Sequence, residues 1–108
     1  MNYQDSHDRV LDKLVRRLAE KPGFLFINER YEREDAAGRA VRGEMDVFRT
    51  RQTHNKRYKT YYEVKGRHTD AGYERAMNQF ARHDSVFHGE RWKYVYVTPT
   101  KIERVRFK

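Results

Sequence analysis

Residues 43–66, GEMDVFRTRQTHNKRYKTYYEVKG, decide how this chain is read. Two extended runs, Gly43–Arg49 and Tyr58–Gly66, flank the polar stretch Thr50–Arg57, the pattern of a β-hairpin. A turn about His54-Asn55 sets Asp46 opposite Glu63 and Glu44 opposite Lys65. Strand alternation puts Glu44, Asp46 and Phe48 on one face, with Met45 and Val47 on the other. It likewise separates Tyr61, Glu63 and Lys65 from Thr60, Tyr62 and Val64. Four functional groups are therefore expected on one patch.

The triplet Glu63-Val64-Lys65 carries little weight alone, since composition supplies about one acid-x-Lys triplet by chance. The hairpin gives it meaning. Two carboxylates held together repel unless a cation neutralises them, and oxygen-only ligands suit Mg²⁺ or Mn²⁺. Such an ion polarises a phosphodiester and lowers the pKa of a water, while a nearby ammonium orients the attacking water or stabilises charge on phosphorus. The grouping describes phosphodiester hydrolysis through Asp46, Glu63 and Lys65, with Glu44 as an auxiliary.

Outward from the hairpin, Val10, Leu11, Leu14, Val15 and Leu18 form the apolar stripe of a helix over Ser6–Glu20, capped by Ser6 or Asp5 and stopped by Pro22-Gly23. Phe24–Ile27 reads as a strand that continues toward Tyr31, and Glu32–Arg42, with mixed charges and no apolar period, reads as a loop or mobile flap. Beyond the hairpin, Thr69 or Asp70 caps a second helix with the stripe Tyr73, Ala76, Met77, Phe80 and Ala81, ending near His83-Asp84. Trp92–Thr98 is a central strand broken by Pro99, and Glu103–Lys108 is a candidate edge strand. The order is α-β-β-β-α-β with an optional last strand, in a single domain over residues 1–108.

Composition narrows the function. The chain has 24 basic and 16 acidic residues, a net charge of +8, and no cysteine. Disulfide frameworks, thiolate zinc fingers and cysteine nucleophiles are thereby excluded. No apolar run approaches the roughly 20 residues of a membrane span, and charges run through Met1–Ala19, so no membrane partner and a cytosolic setting are expected. The excess charge lies in the second half: residues 1–54 carry 11 basic and 10 acidic side chains, residues 55–108 carry 13 and 6. A polyanion is the natural partner, and 16 arginines against 8 lysines, interleaved with tyrosine and phenylalanine, favour nucleic acid. Five histidines lack the tight spacing of a zinc site. The tyrosines of the strands (Tyr58, Tyr61, Tyr62, Tyr94, Tyr96) serve sheet packing or base stacking.

At these residues the chain resembles the PD-(D/E)XK nuclease superfamily, the restriction-endonuclease-like fold. Its α/β core runs α-β-β-β-α-β, with a central mixed sheet flanked by helices. Gly43-Glu44-Met45-Asp46-Val47 is similar to the family's G-x-x-D segment, and Tyr61-Tyr62-Glu63-Val64-Lys65-Gly66 to its hydrophobic-E-V-K segment. The resemblance covers most of the chain and is nearest to small archaeal Holliday-junction-resolvase-like endonucleases. It implies a metal-dependent DNA endonuclease, structure-specific for a junction, flap or nick, in a prokaryotic, archaeal or viral setting. By it, Asp46 and Glu63 bind Mg²⁺ or Mn²⁺ with the Val64 carbonyl, Lys65 serves the water or the transition state, and two copies form a homodimer. No organic cofactor is implied.

The resolvases' first-helix glutamate falls near Leu11 here, leaving Asp8 or Asp12, and less favourably His7, as substitutes. A RecB-like Q-x-x-x-Y is half met, by Gln79 with His83 in the tyrosine's place. Gln79 lies with Arg75 and Arg82 along one side of the second helix, and Arg42 and Arg67 flank the two motifs; these five are the candidate nucleic-acid contacts. The same spacing also describes an ordinary solvated face. The rival reading is a nucleic-acid-binding module on the same fold without turnover.

Overall fold

A computed structural model describes the backbone of residues 3–106 and the side chains of residues 6–106. Helix α1 (Tyr3–Ala19) precedes three strands, β1 (Phe24–Glu34), β2 (Ala40–Gln52) and β3 (Arg57–Val64). Helix α2 (Asp70–Phe87) then leads to β4 (Trp92–Thr98) and β5 (Lys101–Val105). The five strands form one mixed sheet in chain order, antiparallel except where β3 and β4 run parallel. A parallel pair needs a crossover, and α2 is that crossover. No helix among the described residues is long and apolar enough to cross a membrane.

Each helix covers its own core. Leu14 and Leu18 of α1 pack with Val47, Val64 and Val97, whereas Ala76 and Phe80 of α2 pack with Met45, Tyr61, Tyr94 and Tyr96. Tyr61, Tyr96 and Phe80 are fully buried and contribute the largest share of apolar burial, about 2 kcal/mol or more each. Of the expected α2 stripe only Ala81 is exposed, since it falls beyond the contact arc.

Four boundaries differ from the sequence reading, each for a local reason. Helix α1 starts at Tyr3, so Asp5 and Ser6 lie inside its first turns and neither is the cap. Helix α2 begins at the Thr69 cap, whose hydroxyl accepts the Gly72 N–H at 2.9 Å, but it runs past His83 to Phe87, because His83 and Phe87 extend the buried stripe. The stretch taken for a flap is mostly strand. Its end charges are cross-strand partners, Arg42 Nε donating to Glu32 at 2.7 Å, and just outside the stretch Arg30 faces Glu44 at 3.4 Å in the same ladder. Only Asp35–Arg39 turns, held by an Asp35 carboxylate that accepts the Ala37 and Arg39 N–H groups, with Gly38 at φ +79°. Strand β5 begins at Lys101 because Thr98 pairs with Lys101 across a tight turn; Phe107 and Lys108 lie outside the described residues.

The hairpin keeps the expected register from Val47 opposite Tyr62 to Gln52 opposite Arg57, but the ladder stops at Val47 and does not include the expected pairs Asp46–Glu63 and Glu44–Lys65. The alternation along β2 also departs from the expected one. Phe48 packs with the α2 core and Val47 with the α1 core, yet Met45 returns to the α2 core. The pleat therefore resets at Asp46. On β1 the ladder pairs Ile27 with Val47 and Glu29 with Met45, skipping Asn28, which takes the left-handed conformation at φ 55°. Asparagine tolerates that conformation better than other non-glycine residues, so the kink is written at Asn28.

His83 sits wholly buried among Tyr31, Tyr61, Phe87 and Trp92, with Nδ1 2.9 Å from the Tyr94 hydroxyl. Burial pushes its pKa down to about 4. The folded imidazole thus binds a proton less readily than the unfolded one, so its contribution is present above about pH 6.5 and lost as pH falls toward 4. The stability of the parent relative to His83→Phe should drop by up to about 3 kcal/mol over that interval, as measured by urea denaturation at stepped pH.

Candidate functional site

The site lies where β2 and β3 part. Their ladder ends at Val47–Tyr62, and beyond it the Val64 N–H donates to Asp46 Oδ2 at 2.8 Å, a side chain replacing the next backbone partner. Strand β3 keeps its pairing to β4 on the other side, Glu63 opposite Tyr96 and Val64 opposite Val97. Glu63 is 3% exposed. Its Oε1 accepts the Tyr61 hydroxyl at 2.8 Å, and Lys65 Nζ stands 3.5 Å from Oε2. Helix α1 enters through His7, whose Nε2 lies 3.7 Å from Asp46 Oδ2. That approach requires Gly66: a β-carbon there would lie 2.7 Å from the His7 nitrogen and 2.8 Å from the Ser6 β-carbon.

The electrostatics identify the unusual group. Burial, and then the negative charge of Asp46, push the Glu63 carboxyl up to about 8, against the opposing effects of Tyr61 and Lys65. Burial and the neighbouring Glu63 raise the Tyr61 hydroxyl well above its ordinary range, so it remains a donor. Two carboxylates influence one another, Glu63 almost wholly buried and Asp46 with 18% of its side chain exposed.

Asp46, Glu63, Val64 and Lys65 are therefore brought together. Glu44 is not part of the group as expected: its carboxylate faces Arg30, and Lys65 turns to Glu63 instead. The pleat reset at Asp46 is the reason, because it carries Glu44 to the opposite face from the one alternation gives. On α1, Asp12 is exposed and paired with Arg16 at 2.8 Å, and Asp8 is mostly exposed, 3.5 Å from His7 Nδ1; among the described residues it is the less favoured His7 that lies against Asp46. Arg42 is held by Glu32, while Arg67, Arg75 and Arg82 are exposed and Gln79 is half-buried with an unpartnered Oε1. Tyr61 escaped the sequence reading as a site residue, although its position two before Glu63 on the same strand face is the signal that finds it.

The donor set fits a hard divalent cation in kind: two carboxylates, one of them disfavoured as an anion until a positive charge joins it. Among the described residues no group of three or more His, Asp or Glu is arranged to hold a metal. The protein would thus supply Asp46, Glu63 and the Val64 carbonyl, leaving other positions to water and phosphate oxygens, the usual manner of Mg²⁺. Comparison with known protein families, curated proteins and solved structures finds no match to this chain.

Two outcomes test this geometry. With Glu63 at about 8 when folded and 4.5 as its ordinary value, the protonated carboxyl stabilises the fold below pH 4.5, and that contribution disappears as pH rises through 8. In EDTA the parent should therefore lose stability from pH 5 to pH 9, by on the order of a few kcal/mol relative to Glu63→Gln, which stays neutral. Gly66→Ala should cost about 1–3 kcal/mol by forcing α1 off the sheet, measured as a lower urea midpoint with an unchanged slope.

Proposed function

We propose that this chain is a metal-dependent nuclease that hydrolyses phosphodiester bonds in DNA, on a restriction-endonuclease-like version of its α/β fold. The observation that carries the reading is the meeting of Asp46 with a buried, charge-disfavoured Glu63 beside Lys65. The mixed sheet in chain order, with its single parallel step across α2, supports it.

Asp46, Glu63 and the Val64 carbonyl would hold Mg²⁺ or Mn²⁺. When bound, the ion supplies Lewis acidity toward a phosphate oxygen and acidifies a water. The chain's own groups do the rest. Tyr61 fixes one oxygen of Glu63 by its hydrogen bond, so the other is presented in one orientation toward Lys65. The ammonium of Lys65, largely shielded from solvent, stabilises negative charge gathering on the phosphoryl oxygens more strongly than an exposed lysine can. The Val64 N–H holds the Asp46 carboxylate in place, and His7 stands against the same oxygen.

DNA is the partner that the charge favours, and a homodimer belongs to the same reading. Phe24, Phe26 and Ile27 remain exposed on the outer strand β1, an apolar edge of the sort a second copy covers.

Nicking of supercoiled plasmid with Mg²⁺ or Mn²⁺ tests the proposal. Asp46→Asn should lower cleavage at least a hundredfold, while its amide oxygen can still accept the Val64 N–H and keep the fold. DNA affinity in EDTA should stay level or rise, since one charge that repels phosphate is gone. Cleavage equal to the parent's would remove Asp46 from the site; loss of binding as well, in a folded variant, would favour the module without turnover.

A further inference from the structure

Of the eleven cations in residues 1–54, five face a carboxylate among the described residues, four of them on the β1–β2 hairpin. Arg16, Arg30, Arg39 and Arg42 each face a carboxylate of Asp12, Glu44, Asp35 and Glu32 respectively. At the far end of the sheet carboxylates are scarcer. An open hollow of about 860 Å³, where β3 and β4 begin, is lined by Lys56, Arg57, Lys59, Arg91, Lys93 and Arg104. Its one carboxylate, Glu90, is held by Lys59 and by Arg33. Among the described residues the other five cations of the hollow form no ion pair.

Five like charges around one hollow repel each other, and the fold keeps them there without a neutralising partner of its own. An aromatic ring lies among them. Tyr58 is 40% exposed, with Lys93 Nζ 5.8 Å from its ring centroid. The other strand tyrosines do not compete for this role: Tyr61, Tyr94 and Tyr96 are core residues, and Tyr31 and Tyr62 are half-buried. Unpaired cations around an accessible ring match the chemistry of an unpaired nucleic-acid strand, whose phosphates meet the charges and whose base stacks on the ring. A duplex offers the phosphates alone, because its bases are already stacked.

We infer that the hollow between the Thr53–Lys56 turn and the start of β4 is a second nucleic-acid site, which takes a single-stranded segment with a base stacked on Tyr58. It lies about 17 Å along β3 from Glu63, five residues at ~3.3 Å each. A strand held there would be gripped away from the carboxylates, so the favoured substrate is DNA carrying an unpaired arm. This rests on the nucleic-acid reading above and deepens it.

The test measures binding in EDTA, where cleavage plays no part. The probe is a fluorescent oligothymidylate of about 20 nucleotides, compared with an abasic strand of equal length and a blunt duplex. Lys56→Glu/Arg91→Glu/Lys93→Glu changes only exposed side chains. It should weaken oligothymidylate binding at least tenfold and make the log–log salt slope shallower by about 2, three phosphates at ~0.7 each. Tyr58→Ala should weaken oligothymidylate binding about tenfold and leave the abasic strand unchanged, with Tyr58→Phe restoring the parent's affinity.

Parent-like binding by the triple variant would overturn the inference. So would an equal loss on the abasic strand from Tyr58→Ala, an equal loss on the blunt duplex from Tyr58→Ala, or displacement by polyglutamate as effective, charge for charge, as by DNA. The last result would point to an acidic polypeptide. The two readings fail separately: these binding differences without any cleavage keep the hollow and remove the nuclease, and Asp46-dependent cleavage with indifferent hollow variants does the reverse.

Discussion

The hydrogen bond from the Val64 N–H to the Asp46 carboxylate is the joint on which the candidate site depends. A strand that parts from its neighbour leaves backbone donors to be satisfied, and here a side chain supplies the acceptor. The bond fixes three things at once. It ends the β2–β3 ladder at Val47–Tyr62, it holds Asp46 beside β3, and it leaves the last residues of β3 with backbone ladder pairing to β4 alone. The kink at Asn28 on the outer strand lets β2 turn at that same point without breaking its own pairing to β1. A charge that would otherwise be a liability near a buried glutamate is thereby made structural.

The distribution of charge follows a similar division of labour. On the outer hairpin of β1 and β2 opposite charges face each other across the ladder, as in Glu32–Arg42 and Arg30–Glu44, and these exposed pairs contribute about 0–1 kcal/mol each. They matter more for register and for keeping the edge polar. Where β3 and β4 begin, Lys59 pairs with Glu90 but the other five cations of the hollow face no carboxylate among the described residues, and like charges left together there repel. The net positive charge of the second half is thus concentrated as a surface field rather than spread through ion pairs.

Much of this was legible in the sequence because the decisive signals are local. The polar turn between two extended runs gives the hairpin and its register, and the Thr69 cap with its apolar stripe gives α2. The failures share a cause. Glu32–Arg42 reads as a loop because mixed charge looks the same whether it is solvated or paired across a ladder, and only the pairing of β1 with β2 distinguishes the two. The facing of Glu44 depends on one left-handed residue on a different strand, Asn28, which alternation along β2 cannot register. His7 ranks below Asp8 and Asp12 by residue type, yet helix phase and the missing side chain at Gly66 bring it, and not they, to Asp46. The hollow at the far end is assembled from three strands and two turns, so no single stretch announces it.

Glu63 is the residue that stability alone does not explain. A carboxyl 3% exposed and set beside a second carboxylate loses solvation that Lys65 only partly returns. A glutamine there would keep an acceptor for the Tyr61 hydroxyl with no charge to bury, and the valines at 47, 64 and 97 show that apolar packing is readily accommodated close by. Ionising the acid there opposes folding, because burial and the neighbouring Asp46 disfavour its charged form. Groups that oppose folding in this way concentrate where a site must accept a partner of opposite charge. The arrangement around Glu63 has that character: a carboxyl held neutral by burial, a second anion fixed beside it by a backbone N–H, and an ammonium at the rim.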